Sequence, residues 1–393
     1  MDRNIFEEEH EMFRDSVRSF FINEIQPHVD RWAEQEIVDR KAFLKAGEQG
    51  LLCMWADEEY GGAGVSDFRF EQIMMEENAR YGDVGFFIFL HNRLVGPYIG
   101  QLGTEEQKAR WLPKCVSGEN ILAIAMTEAG AGSDISGIRT KAEDKGDHYL
   151  LNGSKTFISN GILADLVIVA AKTDADNSHG ISLFVVERGM EGFERGKNLK
   201  KMGMHSQDTA ELFFNNVKVP KENLLGEWNR GFYHLMHFLA EERLLSAVGS
   251  LANAEAAFAV TMEYASERRV FGCAVAEFQV NRFKFADMRM EMDVCQAFID
   301  RCVMGHNEGK LSADDAAKAK LFATELEDRV TDQCVQLHGG NGYMDEYPVS
   351  RMYTAARVSR IYAGSSEIMR EIIARSIGLD PRKTHKTSHK NAA

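Results

Sequence analysis

The stretch AMTEAGAGSD, Ala125–Asp134, is the most informative segment of this 393-residue chain. Its glycines and alanines keep the backbone bare, so that a ligand can approach it closely. Thr127, Ser133 and Asp134 supply hydroxyl and carboxylate groups at the same place. Such a segment suits the polyphosphate or the ring of a large cofactor, although a glycine-rich stretch alone is as typical of a tight surface turn.

Three further motifs accompany this stretch. They are LNGSKTFISNG at residues 151–161, HGGNGY at residues 338–343 and IYAGSSE at residues 361–367. In this order and at these separations, the set resembles the acyl-CoA dehydrogenase flavoprotein family, and most of all its long-chain and isovaleryl-CoA branch. The resemblance extends over nearly the whole chain, from about residue 5 to residue 378.

The pattern of apolar and polar residues predicts an α+β protein with its β domain in the middle of the chain. Helical spacing dominates residues 1–120, which we expect to form an N-terminal helical domain. Short apolar runs between glycine and Asx residues predict an antiparallel β domain over residues 121–232, with a turn at Asn152-Gly153. Long segments without helix breakers predict a C-terminal four-helix-bundle domain over residues 233–380. The basic, polar residues 381–393 are expected to be a disordered tail.

Composition excludes several classes of function. The net charge of −14, from 46 basic and 60 acidic residues, argues against nucleic-acid binding, which needs a basic surface. The six cysteines form no CxxC pair, which suits buried thiols in a reducing compartment. No metal-ligand motif is present, so no metal site is predicted. The first residues are acidic, unlike a targeting peptide, and no run of 18 apolar residues occurs. We therefore expect a cytoplasmic location and no membrane span.

The resemblance implies that a carboxylate removes the α proton of an acyl-CoA while FAD accepts the β hydride. In many family members this base is a glutamate directly before the last Gly-Ser or Gly-Thr pair, where this chain has Ala363. In the long-chain and isovaleryl-CoA branch the base lies on a helix, directly before an arginine. The matching residue here is Glu242, before Arg243. Helical periodicity by itself also allows Glu241.

Binding residues follow from the same resemblance, position by position. The residues expected to contact FAD within one chain are Met126, Thr127, Gly132, Ser133, Phe157, Ile158 and Ser159. Those expected to reach the FAD of a neighbouring subunit, or to meet the cofactor near the last motif, are Arg268, Phe271, Gln279, Gln336, Gly340, Ser365 and Glu367. Residues expected at the acyl-CoA are Ser133, Arg243, Ala363 and Gly364, with the amide of residue 363 bonding to the thioester carbonyl.

A cofactor shared between chains implies an oligomer, and the resemblance implies a homotetramer that passes electrons to an electron-transfer flavoprotein. Two other functions use the same scaffold. One is a flavin monooxygenase or oxidase, which the missing glutamate at position 363 favours and the Glu242-Arg243 pair disfavours. The other is a non-catalytic acyl-CoA binder. The sequence does not give the length or the branching of the acyl chain.

Overall fold

A computed structural model describes residues 3–380. Within that range the chain forms two compact units. One comprises residues 6–238, and the other comprises residues 239–380 together with residues 3–5. The order of helices, then strands, then helices agrees with the predicted fold class. The boundaries of the three predicted domains stay a prediction, and the predicted tail 381–393 lies outside the described residues.

The first unit begins with short and medium-length helices. These are α1 Glu8–Phe20, α2 Val29–Gln35, α3 Arg40–Glu48, α4 Phe68–Tyr81, α5 Gly96–Leu102 and α6 Glu105–Val116. A π-helical turn at Phe21–Ile25 extends α1. Helix α6 begins with a capping box, in which the Thr104 hydroxyl accepts a bond from the Gln107 amide and the Gln107 side chain accepts one from the Thr104 amide.

A mixed β-sheet follows these helices. Its strands are β1 Leu122–Ala125, β2 Lys141–Asp144, β3 His148–Ser159, β4 Leu166–Lys172, β5 Ile181–Glu187, β6 Phe193–Asn198, β7 Thr209–Pro220 and β8 Leu224–Leu225. The order across the sheet is β6-β7-β3-β2-β4-β5-β8, with β1 beside β4. Most pairs are antiparallel, as predicted. However, β1 runs parallel to β4, and Lys141 of β2 also pairs in parallel with Lys172. The long connection between β1 and β4 makes a parallel return possible.

The turn predicted at Asn152-Gly153 is wrong. Strand β3 continues through both residues, and its register against β7 shifts between Leu151 and Gly153. Gly153 has φ +145°, and a Cβ atom there would lie 2.5 Å from the Thr140 hydroxyl oxygen. The glycine therefore permits a close approach of the backbone to Thr140 at this register shift, which a sequence pattern does not distinguish from a hairpin turn.

Both faces of this sheet are buried, which explains why β4 and β5 read as continuous apolar runs. In β4, Leu166, Ile168 and Ala170 belong to one hydrophobic core, which includes residues of α5 and α6. The alternate residues Val167, Val169 and Ala171 belong to a second core on the opposite face. Because side chains alternate along a strand, a strand between two cores has no polar face.

The second unit is helical. Its helices are most of α7 Gly231–Glu267, then α8 Gln279–Asn307, α9 Ala313–His338, α10 Pro348–Ala356 and α11 Ser366–Ser376. A small hairpin of β9 Arg269–Val270 and β10 Cys273–Ala274 lies between α7 and α8. Helix α9 packs against α8, α10 and α11. These long helices agree with the helical character predicted for this part of the chain.

Helix α7 is long and apolar enough to cross a membrane, judged by length and composition alone. However, 67% of its most apolar window is buried inside the protein, as in a core helix. Among the described residues, which include all six cysteines, every thiol is free, and five of the six are buried. Burial of the thiols agrees with the sequence prediction.

Candidate active site

Glu242 lies on α7 in the second unit and is 4% exposed. Its Oε1 atom has no hydrogen-bond partner within residues 3–380. Burial raises the pKa of Glu242 to about 7, while the charge of Arg243 acts in the opposite direction and that of Glu241 adds to the rise. A buried carboxylate with an unpaired oxygen and a pKa near neutral has the properties of a general base.

Glu241, the alternative base, lies in a different environment. Its carboxylate is 3.6 Å from the His306 Nε2 of α8, and the residue is only partly buried. Glu241 is thus paired with a histidine, whereas Glu242 is buried with an oxygen that is unpaired among the described residues. The structure therefore separates two residues that helical periodicity left equivalent.

Arg243 is buried beside Glu242, and its Nε atom has no hydrogen-bond partner in the described part of the chain. Burial lowers the pKa of Arg243, and the Glu242 carboxylate opposes that effect. Burial lowers the pKa of Lys320 on α9, and the positive charge of Arg243 lowers it further. A buried guanidinium with a free donor suits an anionic or carbonyl oxygen of a ligand.

The turn that contains Ala363 and Gly364 lies next to these helices. The Lys320 amine donates a hydrogen bond of 2.7 Å to the Gly364 carbonyl. Tyr362, just before the turn, has its pKa raised by burial, with the Glu327 carboxyl of α9 adding to that rise. The Ser246 side chain, one helical turn after Glu242, opposes that rise in the pKa of Tyr362. The structure thus brings the predicted base and the predicted thioester-binding turn to one region of the helical unit.

In the first unit, the glycine-rich stretch is bonded to strand β3. The Thr156 amide donates to the Thr127 carbonyl over 2.9 Å, and the Lys155 amine donates to the Met126 carbonyl over 2.8 Å. A Cβ atom at Gly132 would meet nothing within 4 Å. The predicted contacts Met126 and Thr127 are therefore fixed in place beside β3, and the backbone near Gly132 is open to a ligand.

Lys155 of β3 forms a buried ion pair with Glu128, which belongs to this stretch. Their Nζ and Oε1 atoms are 2.8 Å apart, and the lysine side chain is fully buried. Burial lowers the pKa of Lys155 to about 8 against the effect of Glu128, which leaves the ammonium as the main form at pH 7. Burial works against ionisation of Glu128, but Lys155 and the amides of Arg139 and Thr140 hold its pKa below the ordinary value. The pair fixes the conformation of the stretch.

Three predicted site residues have left-handed backbone conformations. Phe157 has φ +59° and is 68% exposed, while Phe271 has φ +50° and is 97% exposed. Ala363 has φ +52°. Such conformations cost of order 1–3 kcal/mol for residues other than glycine, and they cluster at ligand sites. Large exposed rings on strained backbone are well suited to stack on a flat cofactor.

The remaining predicted residues are accessible, with one exception. Ile158 is buried in the hydrophobic core of the sheet, so only its backbone can serve a ligand. Ser159 and Ser365 are partly buried. The exposed ones are Ser133, Arg268, Gln279, Gln336, Gly340 and Glu367.

Sequence analysis missed four charged residues that support the site. Lys320 and Glu327 lie on the apolar stripe of α9, where Ala316, Ala323 and Val330 are buried at the same helical spacing. Lys155 lies on the face of β3 that also buries Leu151. Glu128, the partner of Lys155, lies in the glycine-rich stretch itself. Lys155, Lys320 and Glu327 could have been identified in the sequence as charged residues at core positions of a helix or a strand.

One group of possible metal ligands occurs among the described residues, at Glu7, Glu9 and His10. The two carboxylates are exposed, and His10 accepts a bond from the Glu7 amide at the start of α1. Helix capping accounts for this arrangement, and it gives no support to a metal site.

Models of the acyl-CoA dehydrogenase N-terminal, middle and C-terminal domains match residues 7–119, 123–217 and 229–378. The chain belongs to the acyl-CoA dehydrogenase family. It is an oxidoreductase that dehydrogenates acyl-CoA. The family assignment made from the motifs is therefore confirmed.

Relatives with known names agree with this family. The chain is 47% identical to the long-chain specific acyl-CoA dehydrogenase of Mus musculus over 96% of this chain and 88% of that protein. It is 37% identical to the isovaleryl-CoA dehydrogenase of Pongo abelii over 96% and 90% of the two proteins. The crystal structure of an acyl-CoA dehydrogenase from Geobacillus kaustophilus is similar with a TM-score of 0.94 and 48% identity, over 96% of this chain and 100% of that one.

Members of the acyl-CoA dehydrogenase family are FAD flavoproteins. The residues of this member fit such a cofactor. The backbone at Gly130, Gly132 and Gly340 is open, since a Cβ atom at each would meet nothing within 4 Å. Phe157 and Phe271 present their rings to the outside of their own units. The exposed Arg268 supplies a guanidinium for a phosphate.

Proposed function

We propose that this acyl-CoA dehydrogenase uses Glu242 as its catalytic base and FAD as its cofactor, and that it acts on long or branched acyl chains. The burial of the Glu242 carboxylate, together with its unpaired Oε1 atom, is the observation that carries the proposal. A proton α to a thioester is weakly acidic, so its removal needs a base whose pKa lies near the working pH in a site without water. Glu242, with a pKa of about 7, meets that requirement.

Ala363 has no carboxylate, but it keeps a backbone donor. No acceptor for the Ala363 amide is found among residues 3–380. We propose that this amide bonds to the thioester oxygen, on which negative charge develops as Glu242 takes the α proton. A fixed donor aimed at a developing charge stabilises the transition state more than the ground state. The replacement of the usual glutamate by alanine thus leaves the carbonyl-binding function of this position intact.

Two groups of residues would hold FAD. The first group surrounds the glycine-rich stretch and Phe157, where Lys155 fixes the backbone. The second group lies in the helical unit at Arg268, Phe271 and the HGGNGY motif. Bound FAD supplies the acceptor for the β hydride. The chain supplies position, electrostatics and the base.

We also propose that the protein is a homotetramer. One face of α8 carries four apolar residues, each more than half exposed within the helical unit, and at spacings that place them on the same side of the helix. They are Val280, Phe283, Met290 and Val294. An exposed apolar stripe of this kind marks a protein–protein interface. A second copy of the chain would cover it and would bring the residues of the second group to its neighbour's cofactor.

Three further parts of the proposal concern the acyl chain, the electron acceptor and the location. The names of the long-chain and isovaleryl-CoA relatives support a long or branched acyl chain. Electron-transfer flavoprotein as acceptor rests on the sequence resemblance. A cytoplasmic location agrees with the free thiols of all six cysteines, and cell fractionation tests it.

A pair of matched variants tests the base. Glu242→Gln keeps the shape of the side chain but removes its basicity, so the variant should bind FAD and thioester and lose exchange of the α proton with deuterated solvent. Glu241→Gln, one residue away, should exchange the proton and reduce the flavin close to the wild-type rate. Exchange retained in Glu242→Gln and lost in Glu241→Gln would assign the base to the other glutamate.

A further inference from the structure

Lys320 on α9 is a fully buried lysine whose amine bonds to the backbone of the active-site turn. Its residue exposure is 0%, and its Nζ atom lies 2.7 Å from the Gly364 carbonyl oxygen. Burial lowers the pKa of Lys320 to about 8, with Arg243 and Arg360 acting in the same direction. Burying an amine costs free energy unless it is well bonded, so the bond to Gly364 offsets part of that cost.

The turn is anchored at its other end by its own backbone. The amides of Ile361 and Tyr362 donate to the Val358 carbonyl over 2.8 Å and 3.1 Å. Between these bonds and the Lys320 bond lie Ala363 and Gly364, with φ +52° and +96°. After Gly364, the Ser365 carbonyl accepts the Met369 amide over 3.0 Å at the start of α11. The left-handed conformation is unfavourable for alanine, so the turn depends on the bonds around it, and the Lys320 bond holds the carbonyl of the left-handed pair itself.

We propose that Lys320 is a positioning residue, which holds the turn at Gly364 so that the Ala363 amide points at the thioester oxygen. The inference rests on the proposed function, because it takes the Ala363 amide as the donor to that oxygen. Lys320 itself need not touch the substrate. Its bond to the Gly364 carbonyl fixes the far side of the strained residue.

The expected effect follows from the geometry of oxyanion donors. Such a donor acts by being fixed before charge develops, and a misplacement of about 1 Å costs on the order of 100-fold in rate. Ground-state binding of the thioester depends on contacts with the whole CoA moiety and is much less sensitive. Loss of Lys320 should therefore lower kcat far more than it weakens binding.

Lys320→Met tests this role, because methionine fills a similar volume without a donor or a charge. Lys318→Met is the matched control, since Lys318 lies on the same helix, is partly exposed and pairs with Asp314. We expect kcat to fall about 10- to 100-fold in Lys320→Met, with thioester affinity within about threefold of wild type. Lys318→Met should match wild type in both.

A bound 3-ketoacyl-CoA gives a second readout that is independent of turnover. Its enolate places negative charge on the same thioester oxygen, so its ionisation, followed by ultraviolet absorbance against pH, measures how well the Ala363 amide stabilises that charge. In Lys320→Met the pKa of the bound ligand should rise by about one unit, which is a tenfold loss of stabilisation. An unchanged ligand pKa and an unchanged kcat in a folded Lys320→Met protein would overturn the proposal.

Two further variants cover a folding failure, which melting and gel filtration would reveal. Lys320→Arg keeps a cationic donor and should retain more of the enolate stabilisation than Lys320→Gln, whose side chain is too short to reach the carbonyl. Equal ligand pKa values in these two variants would also overturn the role of Lys320. If the wild-type protein itself fails to ionise the ligand, the proposed function has failed rather than this inference.

Discussion

The pH dependence of kcat/KM gives a sharp prediction for Glu242. This ratio reports the ionisation of the enzyme before the thioester binds. With a pKa of about 7, the carboxylate fraction is roughly one tenth at pH 6 and roughly nine tenths at pH 8. We therefore expect kcat/KM to rise about tenfold between those values, with a slope of one below pH 7.

Glu242→Asp tests how strongly the rate depends on the position of the carboxylate. The side chain is shorter by one methylene, which withdraws the carboxylate by roughly 1.5 Å and should cost on the order of 100-fold in kcat/KM. The rising limb of the profile should remain, because a carboxylate is still the base. Initial rates of flavin-coupled dye reduction between pH 5.5 and 8.5 measure both quantities.

Glu327 is the control for this assignment. It is buried in the same helical unit, and burial raises its pKa to about 8, while the bond donated by Asn253 opposes the rise. Glu327→Gln should keep the limb near pH 7. A flat profile in wild type, or a limb that disappears in Glu327→Gln, would refute the assignment of the limb to Glu242.

Three more predictions concern stability, cofactor and assembly. Because the folded pKa of Glu242 is raised, its contribution to stability is full below pH 4.5 and is lost as the pH rises through 7. The rise in pKa from 4.5 to about 7, a difference of about 2.5, corresponds to roughly 3 kcal/mol. Glu242→Gln should therefore melt higher relative to wild type at pH 8 than at pH 5, and an equal difference in melting temperature at both pH values would contradict this. Lys155→Met leaves Glu128 buried without its partner and should weaken FAD binding at least about tenfold by fluorescence titration, whereas the exposed Lys141→Met should not. Phe283→Glu places a charge on the apolar stripe of α8 and should shift the sedimenting species from tetramer to smaller forms, and a tetramer that survives the change would exclude this face as the interface.

The sequence predicted the helices well because their signals are local. Helix α4 at Phe68–Tyr81 and the capping box of α6 each depend on residues within one or two turns. The sheet was predicted less well. Whether Gly153 forms a turn or lies within a strand depends on Thr140, which directly precedes β2 and approaches Gly153 closely. The parallel pairing of β1 with β4 depends likewise on residues distant in sequence.

The candidate site shows the same division. The motifs named Glu242 and Ala363, and periodicity left Glu241 as an alternative, which the structure places beside His306. The supporting lysines, Lys155 and Lys320, are recognisable only from burial and from the carbonyl oxygens that they reach. Sequence patterns thus identified groups expected to act on the ligand, and the structure was needed to identify the groups that hold them in place.

The most direct test of the central claim is an anaerobic titration of the purified protein with short, long and branched acyl-CoAs, monitored by flavin absorbance at about 450 nm. The account predicts that long or branched thioesters bleach the flavin of the wild-type protein. The same thioesters should bind to Glu242→Gln but leave its flavin oxidised. Wild-type protein that keeps its yellow colour with every thioester, or Glu242→Gln that bleaches at the wild-type rate, would contradict it.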